Sequence, residues 1–336
     1  MFCMAGIGYA GMPPVHSLRA RLQLNIHGQR IYRGLKESYA LTNGSGAGRV
    51  RAAILVLARN QDCNSVLLSM HRMERRFNSK FQYPYIFLNN APFEVAFQKR
   101  TSAATSAETL YGVVPQAHWS YPAWVNESSA ADARTAMRRA GVLHGGSESY
   151  HHMCRYLSGF FHHHPLLQHF DYFWRMEPDV HYYCDLDYDP FLYMQERSIK
   201  YGFTIAAVEL LNTIPTLWNA TLSFMAEARH LVAEDNLLSF VTGQHGDYLD
   251  RQGGFFWERW GDAPVHTLAA AMFLSKSEVH HFQDIGYRHN SMKHCPSYNR
   301  NNCACDALEA VEFHRPSYGR CHAQWEQSIS GQAQQT

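Results

Sequence analysis

The run Ala52–Ala58 (AAILVLA) constrains the fold of this chain more than any other stretch. Seven consecutive apolar residues ending in the polar pair Arg59–Asn60 suit a strand buried on both faces, as in a parallel sheet. An amphipathic segment follows over Ser65–Phe77, with Val66, Leu67, Met70 and Met73 spaced for one helical face. Tyr83–Leu88 then reads as a second strand that ends at Asn89–Asn90. Strand, helix and strand within about 40 residues make the βαβ unit of a nucleotide-binding α/β sheet. In such sheets ligands sit at the carboxyl ends of the strands, which here places Arg59 and Asn60 at a nucleotide.

Further along, the patterning predicts helices over 129–139 (capped by Ser128 or Ser129), 150–161, 190–199, 221–231 and 265–273, and a strand over 203–210. No internal repeat or low-complexity segment interrupts this alternation. It predicts a single large α/β domain over 51–325, after an irregular tail at 1–50 and before a polar tail at 326–336. With 46% hydrophobic and 18% charged residues in 336, the chain has ample material for a large core. A formal charge of +1 gives no basic stripe, so nucleic acid is not an expected partner.

No apolar run approaches the roughly 20 residues of a membrane span, and the first 50 residues lack a signal-type n-region and h-region. Eight cysteines include Cys295, Cys303 and Cys305, but a lone C-x-C without a second C-x-x-C pair argues for disulfides rather than zinc. Sequons at Asn43, Asn126 and Asn219 fit the same secretory compartment. The 21 histidines, several in clusters such as 151–152, 162–164 and 280–281, are expected at the surface or in a groove.

Three segments carry chemistry. In Arg175-Met176-Glu177-Pro178-Asp179-Val180, two carboxylates flank a proline that stiffens the turn, an arrangement suited to a divalent cation bridging a diphosphate. Glu177 and Asp179 are the candidates there. Three more acids, Asp185, Asp187 and Asp189, follow closely and call for a cation or a cationic side chain nearby. Gly145-Gly146-Ser147-Glu148-Ser149-Tyr150 is a turn leading into a helix, where backbone N–H groups around Ser147 can face an anion. The segment 253–266 (GGFFWERWGDAPVH) gathers aromatics, an acid–base pair and His266 between glycines and a proline, the composition of a sugar or nucleotide site wall. No dinucleotide-binding glycine fingerprint, Walker lysine loop or serine-nucleophile elbow occurs in a suitable context, which excludes the corresponding enzyme classes.

The last of these segments resembles, almost letter for letter, a signature of the fungal α-1,2-mannosyltransferases of glycosyltransferase family 15, and the resemblance runs in order from about Arg51 to Cys305. It includes Ala58-Arg59-Asn60, Phe87-Leu88-Asn89, 118–122 (HWSYP), 145–150, Arg175–Val180, 214–218 (IPTLW) and 253–266. The family implies a GT-A-like mixed sheet flanked by helices, a GDP-mannose donor and Mn2+. It also implies retaining transfer to the 2-position of a mannose-terminated acceptor in N- or O-glycosylation or mannan synthesis. Carried over, Glu177 and His266 are the expected metal ligands, and Tyr150 the functional tyrosine near donor and acceptor. Arg59, Asn60 and Asn89 come to lie at the nucleotide. Family members are held in the Golgi membrane by an N-terminal anchor, which places this chain in the Golgi lumen although no anchor occurs in it.

One block departs from the family. A C-H-F-W-S-N-F-E-I-like segment, holding the family's proposed nucleophilic glutamate, has no counterpart here. Phe240-Val241-Thr242-Gly243 runs almost directly into Gln244–Gln252, an internal deletion near 240–247. A catalytically inactive GDP-mannose-binding homologue, or a truncated gene product, is therefore the competing expectation.

Overall fold

A computed structural model describes residues 3–11, 49–238, 240, 253–296, 302–310 and 316–330. The strands are β1 (Cys3–Gly11), β2 (Ala52–Leu57), β3 (Tyr85–Asn89), β4 (Thr109–Val113), β5 (Tyr172–Arg175), β6 (His181–Tyr182), β7 (Tyr201–Val208), β8 (Val279–His281), β9 (Tyr287–His289) and β10 (Met292–His294). The longer helices are α1 (Cys63–Met73), α2 (Val95–Ser102), α3 (Glu127–Arg139), α4 (Glu148–Gly159), α5 (Pro190–Glu196), α6 (Asn219–Glu227), α7 (Asp262–Phe273) and α8 (Pro316–Ser330).

Seven strands form one mixed sheet in the order β4-β3-β2-β5-β1-β7-β8. The apolar run is β2, parallel to β3 (Ile54↔Tyr85) and to β5 (Ala53↔Phe173), as a strand buried on both faces requires. Alternate residues feed opposite layers. Ile54 and Val56 join Val66, Met70 and Met73 of α1, while Ala53 and Leu55 meet Tyr156 and Leu157 of α4. A small antiparallel sheet, β10-β9-β6, stands beside the main one.

Several sequence expectations need correction. Residues 3–11, assigned to an irregular tail, form β1, antiparallel to both β5 and β7 within the sheet. Helix α3 starts at Glu127 and is capped by Asn126, whose Oδ1 accepts from the Ser129 N–H at 2.9 Å, rather than by Ser128 or Ser129. Helix α1 ends at Met73 and continues as a π turn over Glu74–Asn78. The histidines are far less superficial than their polarity suggests: His151, His152, His164, His281 and His294 are buried.

The cysteines behave as a secretory-type set. Disulfides join Cys184 to Cys303 and Cys295 to Cys305, and Cys321 is disulfide-bonded too, while Cys63 and Cys154 are free and buried. Two of the three acids after Val180 find protein partners. Arg76 donates to Asp185 at 2.6 Å, and Asp189 caps α5 while accepting from the Tyr83 hydroxyl. Among the described residues no helix is long and apolar enough to cross a membrane. The apparent deletion at 240–247 falls, apart from Phe240, outside the described residues.

Candidate functional site

A cleft of about 380 Å³ opens over the carboxyl ends of β2, β3 and β5, within the size range of small-ligand sites. Arg59 and Asp62 line it after β2, Asn89 and Asn90 at the end of β3, and Arg175–Pro178 after β5. Ser147, Ser149, Tyr150 and Met153 enter from the start of α4, joined by Trp119 and His144. The sequence candidates Arg59, Asn89, Ser147, Tyr150 and Glu177 therefore come together, from four separate stretches of chain. The other three do not line the cleft.

Asn60 is a loop brace: its Nδ2 donates to the Pro92 carbonyl at 3.0 Å and its Oδ1 accepts from the Glu94 N–H at 3.0 Å. Asp179 has a positive φ of 58°, which turns its side chain away from Glu177. It pairs with Arg72 at 3.2 Å and is 62% exposed. His266 lies in the second turn of α7, where its Nε2 donates to the Leu157 carbonyl at 2.8 Å and its ring packs near Phe161. Burial pushes the His266 pKa down, so the ring is neutral and serves as a bolt between α7 and α4.

Glu177 instead faces His289 of β9, with Oε2 3.2 Å from the His289 Nε2. The pairing expected with His266 is thus corrected to one with His289, a residue on a three-residue strand with no sequence motif around it. The signature segment still reaches the acid motif, but through Asp262: the Arg175 guanidinium bridges Glu177 and Asp262. Burial alone would raise the Glu177 pKa. Arg175 and then His289 outweigh it and hold the carboxyl well below the usual carboxylate range. Arg175 itself is raised despite its burial, by Asp262 and Glu177.

One ionised carboxylate and one imidazole, each about one-fifth exposed, form a donor pair that suits Mn2+ better than the harder, all-oxygen preference of Mg2+. Among the described residues no group of three or more His, Cys, Asp or Glu could hold a metal by itself. An ion held by Glu177 and His289 would have to draw its remaining ligands from water or from a bound diphosphate, the usual arrangement for a metal that serves a phosphate substrate.

Tyr150 is held on two sides within the cleft. Its ring stacks on His144 with centroids 4.5 Å apart, and its hydroxyl oxygen accepts from the Arg259 Nη1 at 3.2 Å. Burial, foremost, raises its pKa, so the phenol keeps its proton at any physiological pH. The two glycines that open the signature have steric reasons. Gly253 sits at φ +73°, and a Cβ on Gly254 would run into the Trp260 ring.

A mixed α/β sheet with polar groups gathered at its strand ends, and a carboxylate and an imidazole facing each other beside them, define a nucleotide-binding type of fold and site. The sequence profile of the glycolipid 2-alpha-mannosyltransferase family (Glyco_transf_15) matches residues 35–247 and 243–329. The glycolipid 2-alpha-mannosyltransferase of Saccharomyces cerevisiae is 42% identical over 307 residues, 82% of this chain and 69% of that protein. Alpha-1,2 mannosyltransferase KTR1 of the same yeast is 41% identical over 338 residues, 86% of each. Among solved structures, core-mannan synthase A of Aspergillus fumigatus, in a Mn/GDP form, superposes with a TM-score of 0.78 at 33% identity over 86% of this chain and 87% of that one. Mannosyltransferase Ktr4p of S. cerevisiae, in complex with GDP, gives 0.79 at 26% identity over 93% of each. The chain belongs to the glycolipid 2-alpha-mannosyltransferase family. The two matched blocks overlap at 243–247.

Proposed function

We propose that this chain is a retaining α-1,2-mannosyltransferase that takes mannose from GDP-mannose and passes it to the 2-hydroxyl of a mannose-terminated glycan or glycoprotein. The observation that carries this reading is the Glu177–His289 pair at the edge of the strand-end cleft, in a chain whose solved relatives are in Mn/GDP and GDP forms. Glu177 and His289 are the residues that would hold Mn2+. Bound there, the ion would act as a Lewis acid on the leaving diphosphate.

The rest is done by the chain itself. Arg59, Asn89 and the N–H groups opening α4 at Ser147 offer donors to the nucleotide and its phosphates. Tyr150, kept protonated, offers a hydroxyl proton to a sugar or phosphate oxygen. Trp119 and Met153 exclude water from one wall. Matching across most of the chain to proteins named as mannosyltransferases favours an enzyme over an inactive homologue. The disulfides support work in the secretory pathway, with the Golgi lumen as the proposed compartment.

Two measurements test this. GDP with Mn2+ should raise the thermal midpoint more than either alone, because only the folded state binds them. Radiolabelled GDP-mannose should then label methyl-α-mannoside. A shift without transfer would remove the enzymatic reading and leave a donor-binding protein; no shift at all would remove both.

A further inference from the structure

Arg259 lies outside the cleft lining, yet it touches the lining through Tyr150. It is 5% exposed, with Nη1 3.2 Å from the Tyr150 hydroxyl and its guanidinium carbon 5.5 Å from the Tyr150 ring centroid. On its other side Nη2 is 3.6 Å from Glu209 Oε1, at the carboxyl end of β7. Glu209 is 7% exposed, and its Oε1 also accepts from the Leu210 N–H at 2.7 Å, which fixes its rotamer. The Arg259 Nε is buried without a hydrogen-bond partner. A buried guanidinium that leaves one donor unsatisfied carries a cost, so its placement calls for a reason other than stability.

The reason lies in donor–acceptor bookkeeping. A guanidinium has only donors, so the Tyr150 oxygen accepts from it and the phenolic proton points elsewhere. No other side chain or backbone group among the described residues takes that proton, and Tyr150 lines the cleft. With the ring pinned on His144 and the oxygen on Arg259, the hydroxyl has one direction left.

We propose that Arg259 is a positioning residue for Tyr150, with Glu209 as its counter-charge, and that together they fix the Tyr150 hydroxyl as a one-way donor to an oxygen of the bound sugar nucleotide. This rests on the function proposed above. The signature acid–base pair is then split in its duties. Glu258 accepts from the Trp260 indole at 2.5 Å and braces the loop, while Arg259 serves the cleft.

The test is a double-mutant cycle read out as GDP-mannose affinity, by calorimetry with Mn2+, on the full chain. Tyr150→Phe and Arg259→Gln should each weaken binding about tenfold, the worth of one charge-assisted hydrogen bond. The double variant should be no weaker than either single one. Arg259→Lys, which can still donate to the tyrosine oxygen, should recover part of the loss. Should Arg259→Gln fail to fold, Glu209→Gln replaces it. That change keeps an acceptor for the Leu210 N–H, and should weaken binding in the parent but do nothing in the Tyr150→Phe background. Additive losses, or singles that bind like the parent, overturn the positioning role alone. A parent chain that binds no GDP-mannose overturns it together with the proposed function.

Discussion

Glu177 Oε2 and His289 Nε2 stand 3.2 Å apart, bringing the loop after β5 against the central strand β9 of the small sheet. β9 is held to β6 by the pairs His181↔Arg288 and Tyr182↔Tyr287, and the Cys184–Cys303 disulfide closes the same corner. The imidazole is thus delivered by tertiary structure that forms only when segments far apart in sequence have docked.

Replacing either member of this pair should abolish the Mn2+-dependent part of the GDP thermal shift. Glu177→Gln removes the carboxylate and His289→Ala the imidazole, and each loss should cost at least about tenfold in apparent Mn2+ affinity. His266→Ala should behave differently. It loses the bolt to the Leu157 carbonyl and lowers the midpoint without ligand, but the Mn2+-dependent increment should survive. A lost increment in His266→Ala with an intact one in His289→Ala would reverse the assignment.

Asp179, the second carboxylate of the acid motif, should be dispensable for the donor. Its one ionic partner among the described residues is Arg72, at 3.2 Å on an exposed surface, a pairing worth roughly 0–1 kcal/mol. Asp179→Ala should leave GDP affinity with Mn2+ within a factor of two or so. A tenfold loss would return Asp179 to the site.

Much of this arrangement was legible in the sequence, and the parts that were not share a cause. The β2–α1–β3 unit shows in local periodicity, because the buried run at 52–58 and the stripe at Val66, Met70 and Met73 need no long-range information. Arg59 follows from the same logic, since strand ends face the cleft, and Asn89 from the family resemblance. His266 is the expected ligand because it closes a dense motif and because the family resemblance carries that role to it; the direction of a side chain around a helix is not written in that motif. His289 was invisible because a three-residue strand has no periodicity to read, and its neighbours become neighbours only through β6 and two disulfides. Asp179 and Asn60 lie off the cleft lining for a different reason. A positive φ in one case and a loop-bracing pair of hydrogen bonds in the other turned polar side chains from the direction their spacing suggested.

Buried histidines should make this domain acid-sensitive. His281 has its pKa pushed down to about 3, by burial first and then by His294 of β10 and His322 of α8, while the Thr204 carbonyl opposes weakly. His151 is pushed down to about 4, again mainly by burial. An unfolded histidine titrates near 6.5, so between these values and about 6.5 the unfolded chain binds more protons. Their contribution to stability is complete above about pH 6.5 and is lost as the pH falls towards 4 and 3. Each group adds up to about 1.4 kcal/mol per pH unit within that window. Unfolding midpoints followed from pH 7.5 to 5 should fall steeply, and His281→Gln should flatten the slope. A midpoint that rises on acidification would contradict the burial of these rings in the folded state.

Gly254→Ala should be among the most damaging single changes in the chain. Gly254 is the first residue of the short helical turn Gly254–Trp257, and a methyl group there would collide with the ring of Trp260, which is 1% exposed and packed edge-on against Phe255. A rigid indole wedged in a full core cannot step aside as the end of a flexible chain could, so relief has to come from shifting the backbone of 253–261. Overpacking of this kind costs roughly 1–3 kcal/mol or more. The shift would also carry Arg259 away from Tyr150 and Asp262 away from Arg175, coupling the loss of packing to the cleft. The variant should therefore unfold at a lower midpoint and, where it remains folded, bind GDP-mannose more weakly than the parent. Gly159→Ala is the matched control, because a Cβ there meets nothing within 4 Å; it should change neither property. Equal behaviour of the two variants would show that the tight approach of Gly254 to Trp260 does not shape the site.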